Sequence, residues 1–158
     1  MRILGIDPGL IKTGYGVIEA EDRSFRLLEA GVIRTSQKDG IQNRLLKIYA
    51  NLIELAEEYH PSVLVIEKLY AHYKHPTTAL LMGHARGVIC LVSAEKKLRL
   101  VSYPSTRIKK AVTGRGHASK RQIGGMVKEL LGLRTIPAPD DVADALAVAI
   151  SHAYIEKV

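Results

Sequence analysis

Hydrophobic and polar positions recur along the chain with two different periods, and these periods predict its strands and helices. Short apolar runs predict five strands, RILGID, TGYGVIEAE, RSFRLLEAGVIRTS, SVLVIE and LRLVSY, with EDR as the hairpin turn between the second and third. From Ile41 to Tyr59 apolar residues recur every three or four positions, which predicts an amphipathic helix. A second helix over 77–94 is apolar almost all round, so we expect it to be covered on more than one side. Shorter helices are predicted near 104–112 and 119–131, and a last one over 141–154.

The order of these elements predicts the fold class. Three strands in a meander, followed by strands that alternate with helices, predict an α/β fold with a mixed five-stranded sheet and helices on both faces. A length of 158 residues with 47% hydrophobic content predicts one domain over 1–158. We find no secretory or Arg-rich leader and no apolar run long enough to span a bilayer, so we expect a soluble, cytoplasmic protein without a membrane partner. Cys90 lies in an apolar helical stretch and is expected to be a small buried residue rather than a catalytic thiol.

Charge is distributed unevenly along the chain. The net charge is +7, from 23 Lys and Arg residues against 16 Asp and Glu residues. Between Lys68 and Lys128 there are 13 basic residues and one acid, Glu95, whereas the rest of the chain holds 10 basic and 15 acidic residues. A solvated surface would mix both signs, so this segment predicts a surface that binds a polyanion, and nucleic acid is the polyanion we favour.

Four acidic residues stand where a structural role is hard to find for all of them. Asp7 ends the first strand, and Glu67 ends the fourth strand directly after the apolar run VLVI. Asp141 and Asp144 are three apart in the last helix, hence on one face, and Asp144 is surrounded in sequence by Val, Ala and Leu. A carboxylate in such a setting loses hydration unless a positive charge meets it. If these elements meet at one point, the four carboxylates form a site for Mg²⁺ or Mn²⁺, which prefer oxygen ligands.

Each acid also has a simpler explanation. Asp7 before Pro-Gly is a good first residue of a β-turn, and Glu67 could pair with a nearby lysine. Asp140 or Asp141 could be a helix N-cap, and acids in a first turn are favoured by the helix dipole in any case. Asp144, one turn into the helix, has no comparable explanation. The metal-site hypothesis fails only if a simpler explanation holds for every one of the four acids, and we therefore favour the metal site.

Four segments, in order and spacing, resemble the RuvC family of Holliday-junction resolvases: ILGIDPGLIKTGYGVIE, LVIEKLY, ALLMGHARGVI and DDVADALAVAI. The resemblance covers nearly the whole chain. It implies a ribonuclease-H-like fold, a homodimer, and cleavage of four-way DNA junctions in recombination and repair by paired, divalent-metal-dependent nicks. It also implies that the four catalytic and metal-binding acids are Asp7, Glu67, Asp141 and Asp144, although Asp140 beside Asp141 leaves the third position open. Two Mg²⁺ ions per site are expected, with Mn²⁺ as a substitute, and Asp7 is expected to bridge them.

The resemblance also assigns DNA contacts. It implies functional lysines at Lys109 and Lys120 and an aromatic residue at Tyr70 that contacts a base near the crossover. The segment RIKKAVTGRGHASKRQ brings further basic residues close to these lysines in sequence, and we include Arg107 and Arg121 in the predicted DNA-binding surface. The family further implies the branch-migration proteins RuvA and RuvB as partners. Gly83 and Gly87 leave one face of the second helix flat, and we interpret that helix as part of the dimer interface, with core packing inside one chain as the alternative.

Other functions remain open from the sequence. GIDPGLIKTGYG also resembles the first phosphate loop of actin-like and sugar-kinase ATPases, but those proteins need a second domain for which 158 residues leave no room. A related ribonuclease-H-like nuclease that acts on RNA is a nearer alternative. A DNA-binding module without catalytic activity is a third, and the four intact carboxylates argue against it.

Overall fold

A computed structural model describes residues 1–69 and 76–158 of the chain. The prediction for Tyr70 therefore lies outside the described residues. The strands and helices, in chain order, are β1 (Arg2–Asp7), β2 (Lys12–Glu21), β3 (Ser24–Arg34), α1 (Ile41–Tyr59), β4 (Val63–Glu67), α2 (Pro76–Glu95), β5 (Arg99–Tyr103), α3 (Ser105–Thr113), α4 (Lys120–Leu130) and α5 (Asp140–Glu156).

The five strands form one mixed sheet in the order β3-β2-β1-β4-β5. The hairpin strands β1, β2 and β3 pair antiparallel, whereas β4 pairs parallel with both β1 and β5. The expected five-stranded mixed sheet is confirmed. Because β1 and β4 are parallel neighbours, their carboxyl ends lie at the same edge of the sheet, and those ends are Asp7 and Glu67.

Helices cover both faces of the sheet, as predicted. Side chains of successive strand residues point to opposite faces. Ile3 of β1 packs with α3, α4 and α5 in one apolar cluster, whereas Leu4 and Ile6 pack with α1 and α2 in another. The same alternation separates Val63 and Val65 from Leu64 and Ile66 in β4. Continuing the period by one step places the side chains of Asp7 and Glu67 on the face that α5 covers.

Glycines in β1 and β2 allow α5 to lie very close to the sheet. A Cβ atom added at Gly5 would lie 2.7 Å from the backbone N of Ala149 and would also collide with the backbone oxygen of Ala145. A Cβ atom added at Gly14 would collide with the backbone oxygen of Asp141. Gly14 is the cross-strand partner of Asp7. The close approach therefore brings the first turn of α5 next to the end of β1.

The described residues cover helix α2 on one side. Ala85, Ile89 and Val92 are fully buried in the cluster with α1, whereas Leu80 is 68% exposed and Leu91 57% exposed. The expected cover on a second side of α2 stays a prediction. Cys90 lies on the uncovered side and is exposed, so the expectation that it is buried was wrong.

The apolar composition of α2 corrects one further expectation. Among the described residues, the stretch Thr77–Glu95 is the one helix whose length and composition would suffice to cross a membrane, with a mean hydropathy of 1.3. The sequence expectation that no such run exists was wrong by this measure. Apolar helices of soluble proteins reach the same length and composition.

Candidate active site

Asp7 and Glu67 lie side by side at the carboxyl edge of the sheet. Asp7 is the last residue of β1 and Glu67 the last residue of β4, one position beyond the paired residues Ile6 and Ile66. Both side chains are partly buried, because α5 lies over this face of the sheet. The two strand ends that the sequence singled out are therefore neighbours in the fold.

The first turn and a half of α5 carries the other acids. The helix begins at Asp140 after Pro139, which is the N-cap residue and makes no side-chain cap bond, so the alternative of Asp140 or Asp141 as N-cap was wrong. The Asp140 side chain is 78% exposed, whereas that of Asp144 is 28% exposed. Acids here are favoured by the partial positive charge of the helix N-terminus.

The environment of Asp7 strongly disfavours its charged form. Burial raises the pKa of the Asp7 carboxyl from 3.8 to about 7, with further increases from the negative charges of Asp144, Asp141 and Glu67 and a small opposing effect of Lys120. The three other predicted acids thus lie close enough to Asp7 to repel its charge. Asp141 is among the charges that raise the pKa of Asp7, whereas the Asp140 side chain is largely exposed, and Asp141 as the third ligand stays a prediction.

The pKa of Glu67 is subject to opposing effects of similar kinds, unlike that of Asp7, on which nearly all effects act upward. Burial raises the pKa of the Glu67 carboxyl, and the charge of Asp144 raises it further. The Ser105 hydroxyl and the positive charges of Lys109 and Arg86 act in the opposite direction. Ser105 and Lys109 are on α3, which begins directly after β5, the parallel neighbour of β4.

Lys120 places its ammonium group among the acids. Its Nζ lies 2.9 Å from Oδ2 of Asp144 and 4.0 Å from Oδ2 of Asp140. The hydrogen bond with Asp144 raises the pKa of Lys120. Lys120 is the first residue of α4, whose start is fixed by a capping box between Ser119 and Gln122. A positive charge is thus held beside the carboxylates from a separate helix.

The other predicted DNA-binding residues do not all face the site. Lys109 is close enough to Glu67 to lower its pKa. Arg121 lines a cavity of about 330 Å³ together with Lys120, Asp140 and Asp144. Arg107 instead lies with its guanidinium carbon 5.2 Å from the centre of the Tyr103 ring, and its charge acts on Glu156 at the far end of α5. The structure therefore groups Lys109, Lys120 and Arg121 near the carboxylates and separates Arg107 from them.

The donor set fits a hard divalent cation. Four carboxylates gather at one corner of the fold, and burial together with the charges of the other three raises the pKa of Asp7 to about 7. Carboxylate oxygens are ligands that Mg²⁺ and Mn²⁺ prefer, and a bound cation would offset this repulsion. In residues 1–69 and 76–158, no three His, Cys, Asp or Glu side chains are arranged as a ready-made metal site. The ammonium of Lys120 instead contacts Asp144, where a cation would be favoured. The assignment of the four acids as metal ligands stays a prediction.

One contact at the site was not expected from the sequence. Nη1 of Arg86, on α2, donates a hydrogen bond of 2.5 Å to the backbone carbonyl of Glu67. Arg86 lies in the segment ALLMGHARGVI, in which we predicted no role for the arginine. The available signal was a single arginine in an otherwise apolar helix, because such a residue needs a partner when it is partly buried.

Comparison with known proteins gives a consistent result. The family model described as crossover junction endodeoxyribonuclease RuvC matches residues 3–152. A protein of that name from Rhodopirellula baltica is 46% identical over 153 residues, which are 97% of this chain and 86% of the relative. The RuvC structure from Thermus thermophilus is 32% identical with a TM-score of 0.92, over 99% of this chain and 96% of that one.

A second solved structure is the T. thermophilus RuvC in complex with a Holliday junction substrate. It is 31% identical to this chain with a TM-score of 0.94, over 99% of this chain and 95% of that one. The similarity of the whole backbone to these two structures confirms the expected ribonuclease-H-like fold. On the family model and the identity over nearly the full length, the chain belongs to the crossover junction endodeoxyribonuclease RuvC family.

Proposed function

We propose that this protein is a divalent-metal-dependent endonuclease that resolves four-way DNA junctions by paired nicks in recombination and repair. The observation that carries the proposal is the corner of the fold where Asp7, with a pKa raised to about 7, faces three further carboxylates. Membership of the RuvC family and the similarity to a RuvC bound to a Holliday junction support junction DNA as the substrate. A strongly shifted acid in a cluster of titratable groups is typical of catalytic sites.

The four acids Asp7, Glu67, Asp141 and Asp144 would hold the metal. Mg²⁺ bound there, with Mn²⁺ as a substitute and two ions per site, would activate a water, neutralise charge on the phosphate and assist the leaving 3′-oxygen. The resemblance to ribonuclease-H-like nucleases implies that Asp7 would be the ligand common to both ions. The strand ends and the helix hold these side chains more rigidly than loops would.

Lys120 would serve both the carboxylates and the DNA in this proposal. Without a metal ion its ammonium pairs with Asp144, at 2.9 Å. When cations neutralise the carboxylates, that pairing weakens, and the exposed ammonium is available for a DNA phosphate near the cut. Lys109 would bind phosphate from the adjacent helix α3, and Arg121 from α4. Arg107 remains in the proposed DNA surface only at a distance from the acids, and Tyr70 remains a predicted base contact.

The uncovered face of α2 would be the interface of a homodimer. This face is defined by Leu80, Gly83, Gly87 and Leu91, which are all exposed. A Cβ atom at either glycine would meet no other group within 4 Å, so a second helix can approach closely there. Two nicks in one junction require two identical sites, and twofold symmetry provides them.

Sedimentation velocity of Leu91→Glu tests the homodimer. We expect the wild-type protein to sediment as a dimer and the variant as a monomer, because the substitution places a charge in an apolar interface. The matched control is Leu46→Glu, which changes a leucine that is 62% exposed on α1 and should leave the dimer intact. A monomeric wild-type protein at micromolar concentration, with and without junction DNA, would refute the dimer.

Cleavage of synthetic DNA tests the proposed activity. We expect wild-type protein with Mg²⁺ to nick a four-way junction symmetrically and to leave a linear duplex of the same sequence uncut. Asp7→Asn should bind the junction without cutting it. Equal cleavage of the linear duplex would indicate a general nuclease, cleavage of RNA alone would indicate the RNA-processing alternative, and nucleotide binding without cleavage would indicate the ATPase-like alternative. We further propose a cytoplasmic location and RuvA and RuvB as partners.

A further inference from the structure

The backbone hydrogen-bond ladder of the sheet is interrupted next to Glu67. The backbone N–H of Lys68 donates to the carbonyl of Tyr103 on β5, at 2.7 Å. The N–H of Lys68 and the carbonyl of Glu67 belong to the same trans peptide group, so they point in opposite directions. Since the Lys68 N–H points toward β5, the Glu67 carbonyl points toward β1. The β1 residue that would donate to it is the one after Asp7, which is Pro8. Proline has no N–H, so β1 supplies no donor at this position.

Arg86 supplies a donor to this carbonyl. Its Nη1 lies 2.5 Å from the Glu67 oxygen, and the side chain reaches it from α2, on the face of the sheet opposite α5. Burial lowers the pKa of Arg86, and the negative charge of Glu67 acts in the opposite direction. A guanidinium is thus kept in a partly buried place where it holds the backbone of a predicted metal ligand.

We propose that Arg86 is a positioning residue for the nuclease site. By replacing the strand donor that Pro8 removes, it fixes the end of β4, so that the Glu67 carboxylate on the opposite face stays directed toward Asp7. The inference rests on the proposed nuclease function. It assigns no contact of Arg86 with DNA or with the reacting phosphate.

Arg86→Met tests this role, because it keeps an unbranched side chain and removes the donor. We expect its single-turnover rate on a four-way junction at saturating Mg²⁺ to be about 10- to 100-fold lower than that of wild type, as for other groups that orient metal ligands. Junction binding in EDTA should be unchanged. Arg86→Lys, which keeps a donor, should recover most of the rate. If Arg86→Met does not fold, Arg86→Gln, which is too short to reach the carbonyl, takes its place with the same expectation.

A readout independent of cleavage is the Mn²⁺ concentration that gives half of the maximal rise in Tm. We expect it to be about 10-fold higher for Arg86→Met than for wild type, because a poorly held ligand binds the ion more weakly. The matched control is Arg2→Met. Arg2 also donates to a backbone carbonyl, that of Tyr59 at 2.9 Å, but at the opposite end of β1. This control should lower Tm without changing the cleavage rate or the Mn²⁺ dependence.

Two results would overturn the role of Arg86. One is wild-type cleavage and wild-type Mn²⁺ dependence in the folded variant. The other is a loss of cleavage that matches the loss of folded protein or of junction binding, because that would be a general structural effect. A wild-type protein that cuts no junction would refute the proposed function instead, and the Mn²⁺ titration would still decide the role of Arg86.

Discussion

Replacing Asp7 by Asn should stabilise the metal-free protein at neutral and alkaline pH. The folded protein holds the Asp7 carboxyl with a pKa of about 7, against 3.8 for the unperturbed group, because it is buried among other carboxylates. Between these two values the native state binds more protons than the unfolded chain. The contribution of Asp7 to the free energy of unfolding therefore falls as pH rises from about 4 to 7 and stays level above that range. Asn has nearly the shape of the neutral acid and carries no such cost.

The size of the effect follows from the two pKa values. At 1.36 kcal/mol per tenfold change in proton affinity, the difference between 3.8 and about 7 corresponds to about 4 kcal/mol at pH 8. We expect Asp7→Asn to recover about 2–4 kcal/mol of this, because the neighbouring acids still repel one another. At pH 4 the native carboxyl is already neutral, and the two proteins should have nearly equal stability.

Urea unfolding in EDTA at a fixed protein concentration measures this difference at pH 4 and pH 8. Asp39→Asn is the control, because Asp39 is an exposed acid in the loop before α1 and should give the same small difference at both pH values. A stability gain of Asp7→Asn that does not grow between pH 4 and pH 8, or a loss at pH 8, would refute the electrostatic account of the site.

Three further predictions follow from the fold and the charges. Gly14→Ala should lower the free energy of unfolding by about 1–3 kcal/mol, because its Cβ would collide with the backbone of α5, whereas Gly125→Ala on α4, where a Cβ meets nothing within 4 Å, should raise it by about 0.5–1 kcal/mol. Equal effects in urea unfolding would contradict this. In a plot of log junction affinity against log salt concentration, the slope should be about −0.9 for each phosphate that the protein neutralises. Lys109→Ala should make this slope less steep by about 1. An unchanged slope would show that Lys109 does not contact a DNA phosphate. Ser119→Ala should lower the free energy of unfolding by about 1 kcal/mol, because the α4 cap is lost. Ser119→Asp, which can still cap the helix, should keep most of the wild-type stability in thermal unfolding. Equal destabilisation by both would exclude the cap.

Periodicity was sufficient to predict the strands and helices and to place the acids at two strand ends and on one face of α5, whereas the meeting of these elements at one corner is a property of the fold. The alternation in β1 and β4 places Asp7 and Glu67 on one face, and the helical spacing in α5 places Asp144 beside them. These are local properties of the sequence. The glycines that let α5 approach the sheet were also visible, but their role depends on which helix lies over them.

Contacts between segments that are distant in sequence could not be predicted from periodicity. The pairing of Lys120 with Asp144 and the hydrogen bond of Arg86 with Glu67 join residues 24 and 19 positions apart, and no spacing rule connects them. The exposure of Cys90 and Leu91 had a different cause. An apolar pattern in α2 indicates that the helix needs cover, but it does not say whether that cover comes from the same chain.

Anomalous diffraction from a crystal soaked in Mn²⁺ tests the central claim most directly, because it locates the cation without reference to activity. We expect an anomalous peak bounded by the carboxylates of Asp7, Glu67 and the first turns of α5, with the Lys120 ammonium displaced from Asp144. The same soak of Asp7→Asn should show a weaker peak or none. A strong peak elsewhere, with these side chains unmoved and Lys120 still paired with Asp144, would contradict the account.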